Sequence, residues 1–158
     1  SRRGRGFAFG DAHLYGDLSR LSLNGPIVAS TSTPSGKGYY MVGSDGGIFA
    51  FGDASFHGST GALRLNRPVI GMSSTQSGNG YWLVASDGGV FAFDAPFRGP
   101  MGGSRLNQPV DGLVAYRTGY FMAAANCVVA SFPTPPCARG LAAHPPTPPH
   151  HRHASLCR

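Results

Sequence analysis

The acid and base groups of this chain are seven Asp residues and six His residues, with no Glu. General acid–base catalysis needs two carboxylates that face one bond, or a His beside a nucleophile. Five of the carboxylates instead recur at turn positions: Asp45 and Asp87 in Ser-Asp-Gly-Gly, and Asp11, Asp53 and Asp94 after Phe-Ala-Phe. Asp side chains at turns bond the local backbone. The spacing therefore predicts structural Asp residues, with a calcium or sugar contact as the alternative, and no enzyme activity.

Aromatic side chains are the first candidates for holding a ligand rather than reacting with it. Sugars stack on exposed aromatic rings, and the same pair of aromatic positions returns in successive copies of one motif. The ligand-binding candidates at these positions are Tyr39, Tyr40, Tyr81 and Trp82. Large aromatics in regular strands also form cores. Repeated shallow sugar sites and core packing are therefore both open for these four residues.

Polar candidates lie at two other repeated positions. Asn66 and Asn107 each precede X-Pro in a linker, where Asn either caps the turn or presents its amide to a sugar hydroxyl. A second position, held by Tyr15, His57 and Arg98, changes between copies while the Gly after it does not. A position that varies in this way is predicted to face solvent. We therefore add Asn66, Asn107, His57 and Arg98 to the ligand-binding candidates.

Metal-ligand residue types are concentrated near the end of the sequence. Residues 150–153 read His-His-Arg-His, close to Cys157, but a metal site also needs a scaffold that preorganises its ligands. We therefore expect no physiological metal site and no cofactor. The odd set Cys127, Cys137 and Cys157 does not form a disulfide framework. A single bridge from Cys137 to either of the others stays open in an oxidising compartment.

The net charge of +6 is confined to the two ends of the chain. Between Phe7 and Phe132, seven basic residues balance the seven Asp residues. A nucleic-acid-binding protein carries its excess charge on the folded surface, so we expect no nucleic-acid partner. No apolar run approaches the roughly 20 residues of a membrane-spanning helix, so we expect no membrane span.

An internal repeat determines which elements position these residues. The stretch GYWLVASDGGVFAF at 80–93 has an earlier copy at 38–51, a degenerate copy at 119–132 and a partial copy at the start of the chain. Phe7, Phe49 and Phe91 are spaced by 42 residues. Each unit contains short apolar segments with period-2 alternation, separated by turn residues, and no helical period. The pattern predicts four short strands per unit.

The second strand of the unit is apolar on both faces. Tyr81 and Leu83 share one face, while Trp82 and Val84 share the other. A strand with two apolar faces is buried on both sides of its sheet. Stacked repeats of the same sheet supply that environment.

The unit GYWLVASDGGVFAFDAPFRG, followed by RLNQPV, resembles a repeat of secreted and cell-wall-associated proteins of actinobacteria. The resemblance extends from Phe7 to about Phe132. It implies a β-propeller of the kelch or lectin-propeller type, in which the repeats are non-catalytic modules that accompany secreted enzymes. The Ser-Asp-Gly-Gly turn is also similar to the structural Asp-box of other propellers.

We therefore expect an all-β chain, a β-propeller fragment of about three four-stranded blades. A β-trefoil is the alternative, because three units of four strands also suit that fold. The expected organisation is a basic N-terminal remnant (1–6), a β-repeat domain (7–132) and a disordered tail rich in Pro and His (133–158). We also expect the sequence to be part of a longer protein, with the signal peptide outside this stretch.

The expected function is binding outside the cell, in a secreted or envelope-associated protein. Cell-wall glycan or another polysaccharide is the leading ligand class. The alternative is a structural spacer or a protein-interaction scaffold that presents a separate catalytic domain of the parent chain. Open blade edges predict self-association.

Overall fold

The computed structural model describes residues 2–100, 108–125 and 129–132. Within these ranges it contains nine β-strands and no helix, which confirms the predicted all-β class. The strands are β1 (Ile27–Ser32), β2 (Gly38–Gly43), β3 (Ile48–Gly52), β4 (Val69–Ser74), β5 (Tyr81–Ala85), β6 (Val90–Phe93), β7 (Val110–Tyr116), β8 (Gly119–Ala124) and β9 (Val129–Phe132).

The strands form three antiparallel sheets, in the orders β1-β2-β3, β4-β5-β6 and β7-β8-β9. In the first two sheets the repeated Ser-Asp-Gly-Gly sequence joins the second strand to the third. The Asp45 carboxylate accepts the N–H of Gly47 at 3.0 Å, and Gly46 between them has a φ of +80°, which Gly adopts without a Cβ penalty. Asp87 accepts the N–H of Gly89 in the same way at 3.1 Å. Both Asp residues are turn residues, as the sequence predicts.

A bulge near the start of each first strand sets which side chains face the core. In β4 it lies between Val69 and Gly71, and the extra residue places Val69 and Met72 on the same face of the sheet. The same irregularity occurs at the equivalent positions of β1 and β7.

Two hydrophobic clusters hold the sheets together face to face. We call the face of a sheet that packs on the following sheet its leading face, and the opposite face its trailing face. The first cluster joins the leading face of the first sheet to the trailing face of the second: Tyr40, Val42 and Ile48 against Val69, Met72, Tyr81 and Leu83. The second joins the next pair of sheets: Trp82, Val84 and Val90 against Val110, Leu113, Tyr120 and Met122. The second sheet is therefore buried on both faces, which confirms the inference from the alternation of β5.

The sheets are arranged as blades of a β-propeller. Neighbouring sheets meet along their first strands, where the Ser74 hydroxyl donates to the Ser32 carbonyl at 3.1 Å and the Ala115 N–H donates to the Ser73 hydroxyl at 3.0 Å. Packed blades with a line of innermost strands are the propeller arrangement, so the prediction of about three blades is confirmed. Strand pairing between units into one barrel, which a β-trefoil requires, does not occur among the described strands.

The number of strands per blade differs from the prediction. Each sheet has three strands, and the segment expected to form a fourth, residues 53–59, contains none. Its backbone is held by isolated hydrogen bonds rather than by a ladder, and Gly58 within it has a φ of +127°, outside the β region. Residues 11–16 and 94–99 occupy the equivalent places and are likewise not strands.

The folded part of the chain extends towards the N-terminus beyond Phe7. The Arg2 carbonyl accepts the N–H of Ile27 at 2.8 Å, as the Ser44 carbonyl accepts that of Val69 at 2.9 Å. Residues 2–6 therefore provide the turn of a preceding unit against the first sheet. The predicted disordered tail at 133–158 and the three Cys residues lie outside the described residues.

Candidate functional site

A tyrosine at the start of each second strand reaches into the segment before its own unit. Its hydroxyl donates a hydrogen bond to the carbonyl of a Gly, at 2.5 Å for Tyr81 and 2.6 Å for Tyr120. The three pairs are Tyr39 with Gly16, Tyr81 with Gly58, and Tyr120 with Gly99. Burial raises the pKa of the Tyr81 and Tyr120 hydroxyls. These contacts, which we call tyrosine latches, tie each unit to the one before it.

In two of the three latches the Gly leaves room for an aromatic ring. A Cβ placed on Gly58 would lie 2.6 Å from a ring carbon of Phe93, and one on Gly16 would lie 2.7 Å from Phe51. The segments that precede the first and second units therefore lie across β3 and β6 respectively. This is the place of a fourth strand, so the outer element of these two blades comes from the preceding unit of the sequence.

Tyr40 and Trp82, the second aromatic residues of β2 and β5, are fixed by burial and by hydrogen bonds. Tyr40 and Trp82 are fully buried; the Tyr40 hydroxyl donates to the Ser55 carbonyl at 3.0 Å, and the Trp82 indole N–H donates to the Pro96 carbonyl at 2.9 Å. Of the four aromatic candidates, only Tyr39 is partly exposed. Sugar stacking needs a free ring face, so Tyr40, Tyr81 and Trp82 serve packing in this structure.

The variable position of the repeat lies between neighbouring units. His57 Nδ1 is 2.8 Å from the Asp94 carboxylate, and the His57 side chain is only 15% exposed. Arg98 is exposed, and its Nε donates to the Thr118 carbonyl at 3.3 Å. The expectation that this position faces solvent therefore holds for Arg98 and is wrong for His57, because the ring of His57 packs on Tyr81.

A one-residue difference between units explains the His57–Asp94 contact. In the first unit, Gly52 takes a positive φ of 69° and Asp53 after it accepts hydrogen bonds from Thr33 at 2.8 Å and Ser35 at 2.5 Å. The second unit lacks that Gly, and Asp94 itself takes a φ of 47°. The Asp94 carboxylate is thereby directed to His57 instead of the neighbouring loop.

A groove in the second unit contains one of the remaining polar candidates, Asn66. It has a volume of about 300 Å³ and lies between the linker before β4 and the hairpin that joins β5 to β6. Its apolar surface comes from Leu65, Val90, Phe91 and Pro100, and its polar groups are Asn66, Arg67 and Asp87. The groove therefore combines an amide, a cation and a carboxylate above an apolar floor.

The polar groups of this groove are available to a ligand. Asn66, Arg67 and Asp87 are all exposed. Within the described part of the chain, no side-chain hydrogen bond or ion pair engages the Asn66 amide or the Arg67 guanidinium. Asp87 uses Oδ1 to hold the turn through Gly89, which fixes the position of the second oxygen. The hairpin thus orients the one carboxylate of the groove.

The corresponding place in the first unit lacks the cation. The linker there reads Leu23-Asn24-Gly25, with Asp45 in the hairpin, so Gly25 stands where the second unit has Arg67. A Cβ on Gly25 would lie 2.5 Å from the Ser44 hydroxyl, so a side chain at this position requires the Ser44 hydroxyl to shift. In the third unit, Asn107 lies outside the described residues.

Sequence reasoning identified Asn66 as a binding candidate and missed Arg67. Asp87 was predicted to be a turn residue, with a calcium or sugar contact as the alternative. For Arg67 a signal was present: the linker Leu-Asn-X-Pro repeats, and X is Gly25, Arg67 and Gln108 in the three units.

The described ranges contain no group of three His, Cys, Asp or Glu side chains placed to hold a metal ion. They also contain no helix long and apolar enough to cross a membrane.

No protein-family model and no curated protein matches this chain. Among solved structures, a Bacteroides thetaiotaomicron protein of unknown function is 14% identical over 65% of this chain, with a TM-score of 0.45. U3-55K is 14% identical over 70%, with a TM-score of 0.47. The β-propeller domain of Cps50 (Swd1) from Myceliophteria thermophila is 11% identical over 73%, with a TM-score of 0.43. The chain spans 29%, 36% and 41% of those three structures.

Proposed function

We propose that this chain is a non-catalytic binding module that holds a carbohydrate in the groove of its second unit. One observation carries the proposal: Asn66, Arg67 and Asp87 line an apolar groove that includes Phe91. Sugars combine hydroxyl groups, which pair with amides and charged groups, with apolar C–H faces, which pack on aromatic and aliphatic side chains. The groove offers both kinds of contact within one small volume.

The size of the groove favours a weak, local contact. Its volume of about 300 Å³ is at the lower end of the roughly 300–1,000 Å³ typical of ligand pockets. Single shallow sites gain strength when several act together on a polymer. A repeated polysaccharide, such as a cell-wall glycan, is therefore the ligand class that we propose, with the module in a secreted or envelope-associated parent protein.

A second candidate function is a protein-interaction scaffold. The observation that favours it is a large apolar side chain at one repeated position of the outer segments: Leu14, Phe56 and Phe97 are 43%, 61% and 55% exposed. Exposed apolar groups in register on a surface are typical of interaction sites. On this alternative, the chain presents other domains of its parent protein.

A glycan array followed by titration calorimetry tests the carbohydrate proposal. We expect the folded chain to bind soluble peptidoglycan fragments or another polysaccharide, and Arg67→Gly to weaken that binding by about tenfold, since one charged hydrogen bond is lost. Asn24→Ala, in the unit without the cation, is the matched control and leaves affinity unchanged. Absence of binding to every glycan, with Phe56→Ser abolishing capture of a parent-chain domain, would favour the scaffold instead.

A further inference from the structure

An aromatic pair crosses each of the two seams between blades. At the first seam the rings of Tyr40 and Tyr81 are 5.1 Å apart, with their planes at 60°. At the second seam the rings of Trp82 and Tyr120 are 5.4 Å apart, at 59°. In both pairs, the second aromatic of one middle strand meets the first aromatic of the next. Aromatic pairs of this kind stabilise an interface beyond its buried area.

At each end of the three sheets, one aromatic residue of this pattern has no partner across a seam. Phe121 is the second aromatic of β8 and belongs to the leading face of the third sheet, where its ring contacts Tyr116 at 5.0 Å. Tyr39 is the first aromatic of β2 and belongs to the trailing face of the first sheet. Both residues are partly exposed, unlike their counterparts at the seams.

Further apolar side chains lie on these two end faces. On the leading face of the third sheet, Val114 is 66% and Tyr116 is 45% exposed. On the trailing face of the first sheet, Ile27, Phe49 and Phe51 occupy the positions of Val69, Phe91 and Phe93, all of which pack in the first cluster. The two end faces thus carry the two complementary halves of the seam that the molecule forms internally.

We propose that a second copy of this chain docks head to tail, with the leading face of its third sheet on the trailing face of the first sheet. A second copy fits this face because, at both internal seams, a leading face is covered by the trailing face of the next repeat. Phe121 of one copy pairs with Tyr39 of the other. Such an interface is heterologous, so it generates rings or chains.

Docking gives the Ile27 N–H a new backbone acceptor in place of the Arg2 carbonyl. The Ile27 N–H is bonded to the Arg2 carbonyl, whereas at the internal seams the turn of the preceding unit provides this acceptor, Ser44 for Val69 and Ser86 for Val110. In the third unit the equivalent residue is Ala125, whose N–H bonds to Pro109 as that of Ser86 bonds to Pro68. The incoming Ala125 carbonyl therefore replaces Arg2, and residues 2–6 move aside. This movement also breaks the hydrogen bonds from the Leu18 N–H to the Gly4 carbonyl and from the Gly6 N–H to the Asp17 carboxylate.

Sedimentation velocity over a concentration series tests the proposal with one substitution on each face. Val114→Asp places a charge on the leading face, and Ser30→Asp places one on the trailing face, at the position of the buried Met72. Both sites are exposed in the single chain, so neither variant is expected to unfold. Each is expected to weaken self-association of the full chain at least about tenfold, since a buried unpaired charge is costly. Leu63→Asp, at an exposed apolar site on neither face, is the control and associates as the unmodified chain does.

Mixing the two variants separates head-to-tail docking from other contacts. Each variant keeps one intact face, so the mixture is expected to form a one-to-one complex that neither variant forms alone. If Ser30→Asp associated as strongly as the unmodified chain, two leading faces would be in contact with each other, and the proposal would be overturned. It is also overturned if both the full chain and a variant lacking residues 1–6 remain monomeric at every concentration.

Discussion

The hydroxyl of Tyr81 donates a hydrogen bond of 2.5 Å to the carbonyl of Gly58, which lies 23 residues earlier, in the segment before β4. Tyr81 also accepts the backbone N–H of His57 at 3.1 Å. One buried hydroxyl therefore satisfies two backbone groups of a segment that has no strand of its own. The sheet that follows each outer segment holds it in place, which makes the blade, rather than the sequence unit, the unit of stability.

Removing the Tyr81 hydroxyl tests the latch. We expect Tyr81→Phe to lower the free energy of unfolding by about 1–3 kcal/mol, because two partly buried backbone groups lose their partner. Urea denaturation measures this change. Tyr116→Phe, an exposed ring on β7, is the control and is expected to stay within about 0.5 kcal/mol. Equal effects of the two substitutions would show that the latch contributes no stability.

Truncating Trp82 tests its assignment to the core. We expect Trp82→Ala to cost about 3–5 kcal/mol of stability, and Trp82→Phe to cost less because it retains the ring contact with Tyr120. Thermal and urea unfolding measure both changes. If Trp82→Ala kept full stability but lost glycan binding, the ring would be a ligand contact and the packing assignment would be wrong.

Alanine substitutions at Gly58 and Gly36 test the close approach of the outer segment to β6. Both have a positive φ, of 127° and 71°, but a Cβ meets Phe93 at Gly58 and nothing within 4 Å at Gly36. We expect Gly36→Ala to cost about 1–2 kcal/mol from backbone strain. Gly58→Ala should cost clearly more, by a further ~1–3 kcal/mol, because the added Cβ overpacks against Phe93 and because a φ of 127° is further from the left-handed region. Similar losses in denaturation experiments would contradict the close approach of the outer segment to β6.

The Asp53 carboxylate predicts a pH dependence. Hydrogen bonds from Ser35 and then Thr33 lower its pKa below the ordinary value of 3.8. A group with a lowered pKa in the folded state stabilises the fold above its unfolded pKa, and this stabilisation is lost as the pH falls through the folded value.

Thermal unfolding from pH 7 downwards checks this sign. Asp53→Asn is expected to be less stable than the unmodified chain at neutral pH, and the difference should shrink below about pH 4. Asp111→Asn, at an exposed site on β7, serves as the control. A difference that is constant with pH would exclude the ionised carboxylate as its source.

Much of the fold is predictable because its signals are local. The alternation of Tyr81, Trp82 and Leu83 reports a strand buried on two sides, and Asp-Gly-Gly reports the hairpin at the place where positive φ is needed. The latch between Tyr81 and Gly58 was not predicted, since periodicity within a strand carries no information about a carbonyl in another unit. The fourth strand was predicted wrongly for the same reason, because the position of the outer segment depends on the following unit.

The candidate site was predictable only in part. Asn66 was found from its place before X-Pro. The groove itself depends on Phe91 and Pro100, which come from different elements and meet only in the folded chain. Arg67 was the one missed residue with a visible signal, because it varies where the linker otherwise repeats.

We propose that the groove of the second unit binds a glycan through Asn66, Arg67 and Asp87. Chemical-shift perturbation in ¹⁵N-labelled protein, titrated with a soluble peptidoglycan fragment, tests it most directly. We expect saturable shifts at the amides of Asn66, Arg67 and Gly89, and none at Asn24 in the first unit. Shifts confined to the outer residues Phe56 and Phe97, or no shift at any concentration of any glycan tested, would contradict it.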